Sequence, residues 1–212
     1  MAPEPIAAER TYQSLKHDIV TGLHRPGALL ILQKLADDFG TSVSPVRDAL
    51  HRLVGERLLE LYPGGGFRCP LPSAEALHQL YHWHDLLLRQ ALRNPLRGEH
   101  RERLALLSLG DGSANALARM AAELFEILGA AAESREYAHA ISSASDRLFL
   151  ARMYEPEVMK NVARENESIM LVATNGSLAT IRHAVWEYHR RRLRRVSRIA
   201  SAIALDQPHY SP

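Results

Sequence analysis

The stretch LADDFGTSVSPVRDALHRL, residues 35–53, constrains the fold of this chain more than any other. A helical hairpin whose two helices cross closely needs a small residue at the contact, here Ala36. It needs a residue tolerant of positive φ at the turn, here Gly40, and a buried β-branched residue to anchor the second helix, here Val46. Leu32, Leu35, Ala36 and Phe39 share one face of a short helix expected over residues 31–39, and Gly40 closes it. Ser42 or Ser44 can cap the next helix, and Pro45 is tolerated in its first turn because its missing N–H has no intrahelical partner there. That helix continues through Val46, Leu50, Leu53 and Val54. Upstream, Tyr12, Leu15, Ile19 and Val20 keep helical spacing from residue 7 to about 21, and GLHRPG breaks the pattern at Gly22 and Pro26. Downstream, RLLELYPGGGFRCPLPS predicts a strand, a glycine turn over residues 64–66 and a second strand ending before Pro70. Helix, helix, turn, helix, hairpin is the order of a winged helix-turn-helix.

Everything after Ser73, itself a plausible cap, has helical patterning. Helices are expected over about 74–93, 99–107, 113–132, 134–153, 155–173 and 177–204, with breaks at Asn94-Pro95, Gly110-Asp111-Gly112, Pro156 and Asn175-Gly176. The expected fold class is mostly α: an N-terminal winged helix-turn-helix of three helices plus a two-stranded wing, followed by an all-α helical bundle. The expected domains are residues 1–72 and 73–207, and 212 residues suit two small domains.

Composition narrows the function classes. Cys69 is the single cysteine, so no internal disulfide forms, and a reducing cytoplasmic location is expected. No apolar run of about 18 residues predicts a membrane span, and MAPEPIAAERTYQSL lacks the pattern of a secretory signal. The net charge is +2, and residues 1–70 hold eight Lys/Arg against eight Asp/Glu, so global charge does not announce nucleic acid. HRRRLRRVSR, residues 189–198, is strongly basic; a solvated helix face is the expected reading and a second phosphate-binding surface the alternative. His78 and His82 have a chelating spacing but lack a matching third ligand, and surface histidines are expected.

The residues RPGALLILQKLADDFGTSVSPVRDALHRLVGERLLELYPGGGFRCPLPS resemble the N-terminal domain of the GntR family of bacterial transcription regulators almost end to end. ELFEILGAAAESREYAHAISSASDRLFLARMYEP and NGSLATIRHAVWEYH are similar, more loosely, to the FCD ligand-sensing domain of the FadR-type branch. The resemblance implies DNA contact by the recognition helix and the wing. It places Arg47 at a base- or phosphate-contacting arginine, with Ser42 and Ser44 at the helix N-terminus and His51 one turn beyond. Lys34, Val43, Gly66 and Arg68 complete the implied DNA-facing set, Val43 toward a thymine methyl. Val43 and Gly65 replace residues that are commonly basic in the family, so fewer phosphates are neutralised per subunit and binding leans on dimerisation.

FCD domains often hold a divalent metal through one Asp and three His. Here the matching positions are Ala122, Glu126, Asn166 and either Tyr188 or His189, a donor set too poor for Zn²⁺, Ni²⁺ or Mn²⁺, so no cofactor is expected. The expectation is a polar effector pocket faced by Glu126, Asn166, Tyr188 or His189, with His84 where an arginine is common. The alternative is that these groups satisfy one another in a sensor that has lost its ligand. The leading function is a ligand-responsive DNA-binding regulator, homodimeric on a palindromic double-stranded operator and answering to a small organic effector, a carboxylic acid or other metabolite. A winged-helix protein-interaction module is the alternative, and no motif supports an enzyme.

Overall fold

A computed structural model describes residues 4–206, with side chains from residue 8 onward. The chain forms two compact units: residues up to Leu71 together with those from Ile203, and Pro72–Ala202.

The first unit holds α1 (Glu4–Val20), β1 (Leu29–Leu30), α2 (Leu32–Asp38), α3 (Val43–Gly55), β2 (Glu60–Leu61) and β3 (Phe67–Arg68). The predicted apolar face of each helix is the buried one. Tyr12 and Leu15 of α1, Leu35 and Ala36 of α2, and Val46, Leu50 and Leu53 of α3 form one core with Leu30, Leu59 and Phe67. Gly40 has φ +58°, its N–H bonds to Asp37 O and the Thr41 N–H reaches back to Ala36 O, so the positive-φ residue ends α2 as its position requires. The hairpin β2–β3 forms where predicted, and Gly65 and Gly66 both adopt positive φ in its turn. The sheet has a third strand: β1 pairs antiparallel with β3, Leu30 opposite Phe67, giving the order β1-β3-β2. Two residues are too few for a period-2 pattern to register in the sequence.

The second unit contains α4 (Ala74–Ala91), α5 (Gly98–Ala105), α6 (Ala114–Ala130), α7 (Arg135–Val158), α8 (Val162–Asn175), α9 (Leu178–Leu193) and most of α10 (Val196–Leu205). Ser73, Ser113 and Ser177 cap their helices by accepting from the N–H three residues on. Gly129 lets α6 and α7 approach closely, since a Cβ there would sit 2.7 Å from Ile141 Cδ1. Leu88, Leu124, Phe125, Leu128, Ile141, Val185 and Tyr188 fill the core between them.

Two boundaries differ from the sequence reading. Pro156 does not break α7, which runs on to Val158. Proline withholds an N–H from Arg152 O, and only two residues of helix follow it, so the disruption is confined to the final turn. Asn161, at φ +62°, then starts α8. Residues 177–204 form two helices, parted at Arg194 and Arg195 where the Arg195 N–H bonds to Arg192 O; neither glycine nor proline marks that break.

Candidate functional site

Two surfaces matter, one in each unit. In the first, α3 buries Val46, Ala49, Leu50 and Leu53. The opposite side carries Ser44, Arg47, Asp48 and His51, all exposed and spaced to share one helix face. Arg47 makes no hydrogen bond or ion pair among the described residues, so its guanidinium is uncommitted. Ser42 takes the N-cap position with extended backbone, yet its hydroxyl makes no capping bond, and Ser44 lies inside the helix. Neither serine therefore caps through its side chain, and both hydroxyls face solvent. His51 packs edge-on against the Phe67 ring of the wing, centroids 4.9 Å apart. Arg52 reaches the other way: it lies 3.4 Å over the Tyr12 ring and donates to Glu9, tying α3 to α1.

The remaining predicted residues are less free. Lys34 is exposed on α2. Val43 is half-buried and packs on the core, which accounts for much of its side chain without a DNA contact. Arg68 is half-buried and donates to Glu60 at 2.9 Å, so its charge is already paired. Gly66 is exposed in the wing turn at φ +97°, and its carbonyl accepts from the Tyr62 N–H.

In the second unit, α4, α6, α7 and α9 bring polar groups into the core. Arg192 of α9 is fully buried and grips the buried Glu155 of α7 through Nε (3.0 Å) and Nη2 (2.7 Å), while its Nη1 reaches Glu165 (2.6 Å). Tyr81 of α4 donates to the same Glu155 at 2.8 Å. Burial opposes the charge on Arg192, and Glu155, Tyr188 and Glu165 outweigh it, holding the guanidinium well above its ordinary value. Burial pushes the Tyr81 and Tyr188 hydroxyls up, so both stay protonated.

A second group surrounds the Phe125 ring of α6: His84, Tyr188 and His189 stack around it, with the Arg152 guanidinium carbon 5.3 Å from its centroid. His84 Nδ1 lies 2.9 Å from His189 Nε2, and His189 Nδ1 lies 2.7 Å from Val185 O. A carbonyl can only accept, so His189 Nδ1 carries the hydrogen and its Nε2 a lone pair. His84 must then donate from Nδ1, which leaves His84 Nε2 as a lone pair too. Burial lowers both imidazoles, His189 to about 3, with nearby arginine charge adding to the effect, so both are neutral near pH 7. His84 Nε2, the Tyr188 hydroxyl, and Nε and Nη2 of Arg152 are buried without a hydrogen-bond partner.

The predicted effector residues divide accordingly. His84, Tyr188 and His189 come together. Asn166 is buried, but its Nδ2 donates to Leu117 O and it leaves only Oδ1 unpartnered. Glu126 is exposed, and Ala122 is only half-buried; the inward positions of α6 are Ala121 and Phe125. Placing Glu126 at the pocket was an error of one helix position, about 100° of rotation. The basic run is likewise not one solvated face, because His189 and Arg192 point inward. His78 and His82 are exposed, and no group of three or more metal-capable side chains occurs among the described residues.

Arg152, Glu155, Arg192 and Tyr81 were not anticipated. Their signal was present: Ile141, Ser145, Leu148, Arg152 and Glu155 recur at three- and four-residue spacing, so two charges sit on the stripe that must face the core. Arg192 similarly continues the stripe of Ile181, Val185 and Tyr188.

A three-helix head with a β-wing, presenting an uncommitted arginine and hydroxyls on its third helix, defines a DNA-binding winged helix-turn-helix. Residues 7–69 match the family described as bacterial regulatory proteins, gntR family, and this unit is a GntR-family helix-turn-helix domain. Over 66 residues it is 39% identical to the HTH-type transcriptional regulator McbR of Escherichia coli (strain K12), covering 31% of this chain and 30% of that protein. Over 70 residues it is 33% identical to the HTH-type transcriptional repressor GlaR of the same organism, covering 33% and 32%. These matches span about a third of the length of either relative. In fold the likeness is wider. The solved E. coli McbR/YncC structure superposes with TM-score 0.73 at 20% identity over 91% of this chain and 97% of that one. A GntR transcriptional regulator from Rhodococcus sp. RHA1 gives 0.73 at 17% identity, covering 89% and 96%. No described helix is long and apolar enough to cross a membrane.

Proposed function

We propose that this chain is a ligand-responsive transcription regulator that binds a palindromic operator as a homodimer, its helical bundle serving as an FCD-like effector-binding and dimerisation domain. The observation that carries the reading is Arg47, exposed and uncommitted on the third helix of a GntR-type head. A guanidinium so placed can meet a guanine edge with two parallel hydrogen bonds or a phosphate with one, and the Ser42 and Ser44 hydroxyls can reach the backbone beside it. With acidic and basic residues balanced over residues 1–70, one head gains little from counterion release. Two heads linked in one dimer raise the effective concentration of the second contact, and a two-fold protein matches a two-fold site. The relatives named above are described as transcriptional regulators, and none of these likenesses points to an enzyme.

A regulator that has lost effector sensing would be expected to close its buried polar groups on one another. Arg152, His84 and Tyr188 keep unpartnered atoms in the core, which favours a bundle that still takes a ligand. Light scattering at micromolar concentration should give about twice the 23.7 kDa chain mass. Gel shifts on fragments from the flanking DNA of its own gene should show salt-sensitive binding to an inverted repeat. A strict monomer, or a chain that ignores all such fragments at low salt, rules the proposal out.

A further inference from the structure

We infer that the core of the second unit binds a small hydroxy-carboxylate directly, without a metal, through Arg152 and His84. The inference rests on the ligand-responsive reading above and names the chemical class of the ligand. Its basis is a comparison within the same core. Arg192 holds the Glu155 carboxylate by its Nε and Nη2 hydrogens, the side-on edge of the guanidinium. Arg152, one helical turn before Glu155 on α7, has that same Nε/Nη2 edge buried and unpartnered, and only its Nη1 is engaged, by the Ser145 hydroxyl (2.9 Å) and carbonyl (3.4 Å). Glu155 cannot serve both arginines, because its two oxygens are taken by Arg192 and Tyr81. A planar fork of two parallel donors is matched by a carboxylate, and a buried guanidinium left without one is costly.

The groups beside Arg152 narrow the ligand further. The hydrogen-bond relay from Val185 O through His189 fixes His84 Nε2 as an acceptor, so a ligand must bring a donor to it. An ammonium donor is disfavoured for the reason that keeps His84 itself neutral, namely burial among His189 and Arg152. A hydroxyl meets the requirement without charge. The Tyr188 hydroxyl, also unpartnered, can donate to a carboxylate oxygen, and the Phe125 ring offers an apolar wall to a short carbon chain.

The test uses the full chain in EDTA, so that a metal-held acid produces no signal, and four probes on one carbon skeleton: 2-hydroxybutyrate, butyrate, 2-aminobutyrate and 2-hydroxybutyramide. Millimolar 2-hydroxybutyrate should raise Tm by several degrees, butyrate and 2-aminobutyrate less, and the amide not at all. Arg152→Met, which keeps length and removes the unpaired charge, should fold at least as well as the parent and lose every response. His84→Leu, wherever it folds, should retain the response to butyrate and lose the preference for the hydroxyl. Shifts by the amide equal to those by the acid, a response surviving in Arg152→Met, or no shift with any acid overturns the inference. Equal shifts for butyrate and 2-hydroxybutyrate overturn the role of His84. Operator binding is measured separately: a chain that binds its operator but ignores all four probes refutes only the ligand class. One whose Tm responds while operator binding does not change refutes the ligand-responsive reading instead.

Discussion

Arg192 and Glu155 form a buried, two-pronged ion pair between α9 and α7, with donor–acceptor distances of 3.0 and 2.7 Å and almost no solvent contact on either side chain. Charges withdrawn from water in this way are stable only while each has its partner, and Tyr81 and Glu165 complete the bonding of the two. The pair holds the end of α7 against α9 while Arg152, on the same helix, is left with an open donor edge.

Glu155→Gln keeps the shape and an acceptor for Tyr81 but leaves the Arg192 charge with Glu165 alone. Breaking a buried pair from one side costs about 3 kcal/mol or more. The urea midpoint should fall accordingly with little change in slope. The exposed Arg190–Glu187 pair supplies the control, since Glu187→Gln should stay within about 0.5 kcal/mol of the parent. Equal effects for the two substitutions would mean that solvent reaches the inner pair.

Arg47→Ala removes an exposed side chain from a helix whose other face makes the core, so helicity and Tm should match the parent. Operator affinity should fall by about 1–3 kcal/mol, roughly tenfold to a hundredfold, if the guanidinium makes a two-pronged base contact. Titration of one labelled operator with both proteins decides it, and unchanged affinity would remove α3 from the reading role.

The head was legible in the sequence because its signals are local. Ala36, Gly40 and Val46 each meet a requirement set within a few residues, and all three do in the structure what their positions implied. The bundle was legible as helices but not as a site. Which side of α6 faces inward depends on helices distant in sequence, and a one-residue error carried Glu126 from the core to solvent. Pro156 misled for a related reason: its penalty depends on how much helix follows, which is a matter of where α8 must begin. Arg152 and Arg192 were hidden inside apolar periodicity because a charge on a buried stripe invites reassignment of the stripe to the surface.

Glu126 offers a direct check of that correction. Exposed on α6, Glu126→Ala should leave Tm, operator binding and the probe responses unchanged. Glu126 was also the one carboxylate in the expected ligand positions, and its outward orientation weakens them further as a divalent-ion site. Elemental analysis after dialysis should find less than about one metal per several chains, because affinity follows ligand number and type. Stoichiometric Zn, Ni or Mn would show a ligand set that this arrangement does not contain.

The paired imidazoles predict how stability depends on pH. Burial lowers both His84 and His189 in the folded chain, His189 to about 3 from an ordinary 6.5. A group whose pKa is lower folded than unfolded makes the unfolded chain the stronger proton binder on acidification. Stability should therefore be full above about pH 6.5 and should decline as pH falls from there toward 3. Each histidine contributes up to about 1.4 kcal/mol per pH unit within that window. Asp85 works in the opposite direction: burial raises its carboxyl despite Arg89, so the folded chain takes up that proton sooner than the unfolded one. Its influence is confined to the acidic part of the range, and between pH 7 and 5 the histidines should dominate. Urea denaturation at closely spaced pH values measures the slope, and His84→Gln should remove about half of it. A flat profile from pH 7 to 5 would mean that at least one imidazole takes up a proton in the folded state, and the relay that leaves His84 Nε2 as an acceptor would no longer hold.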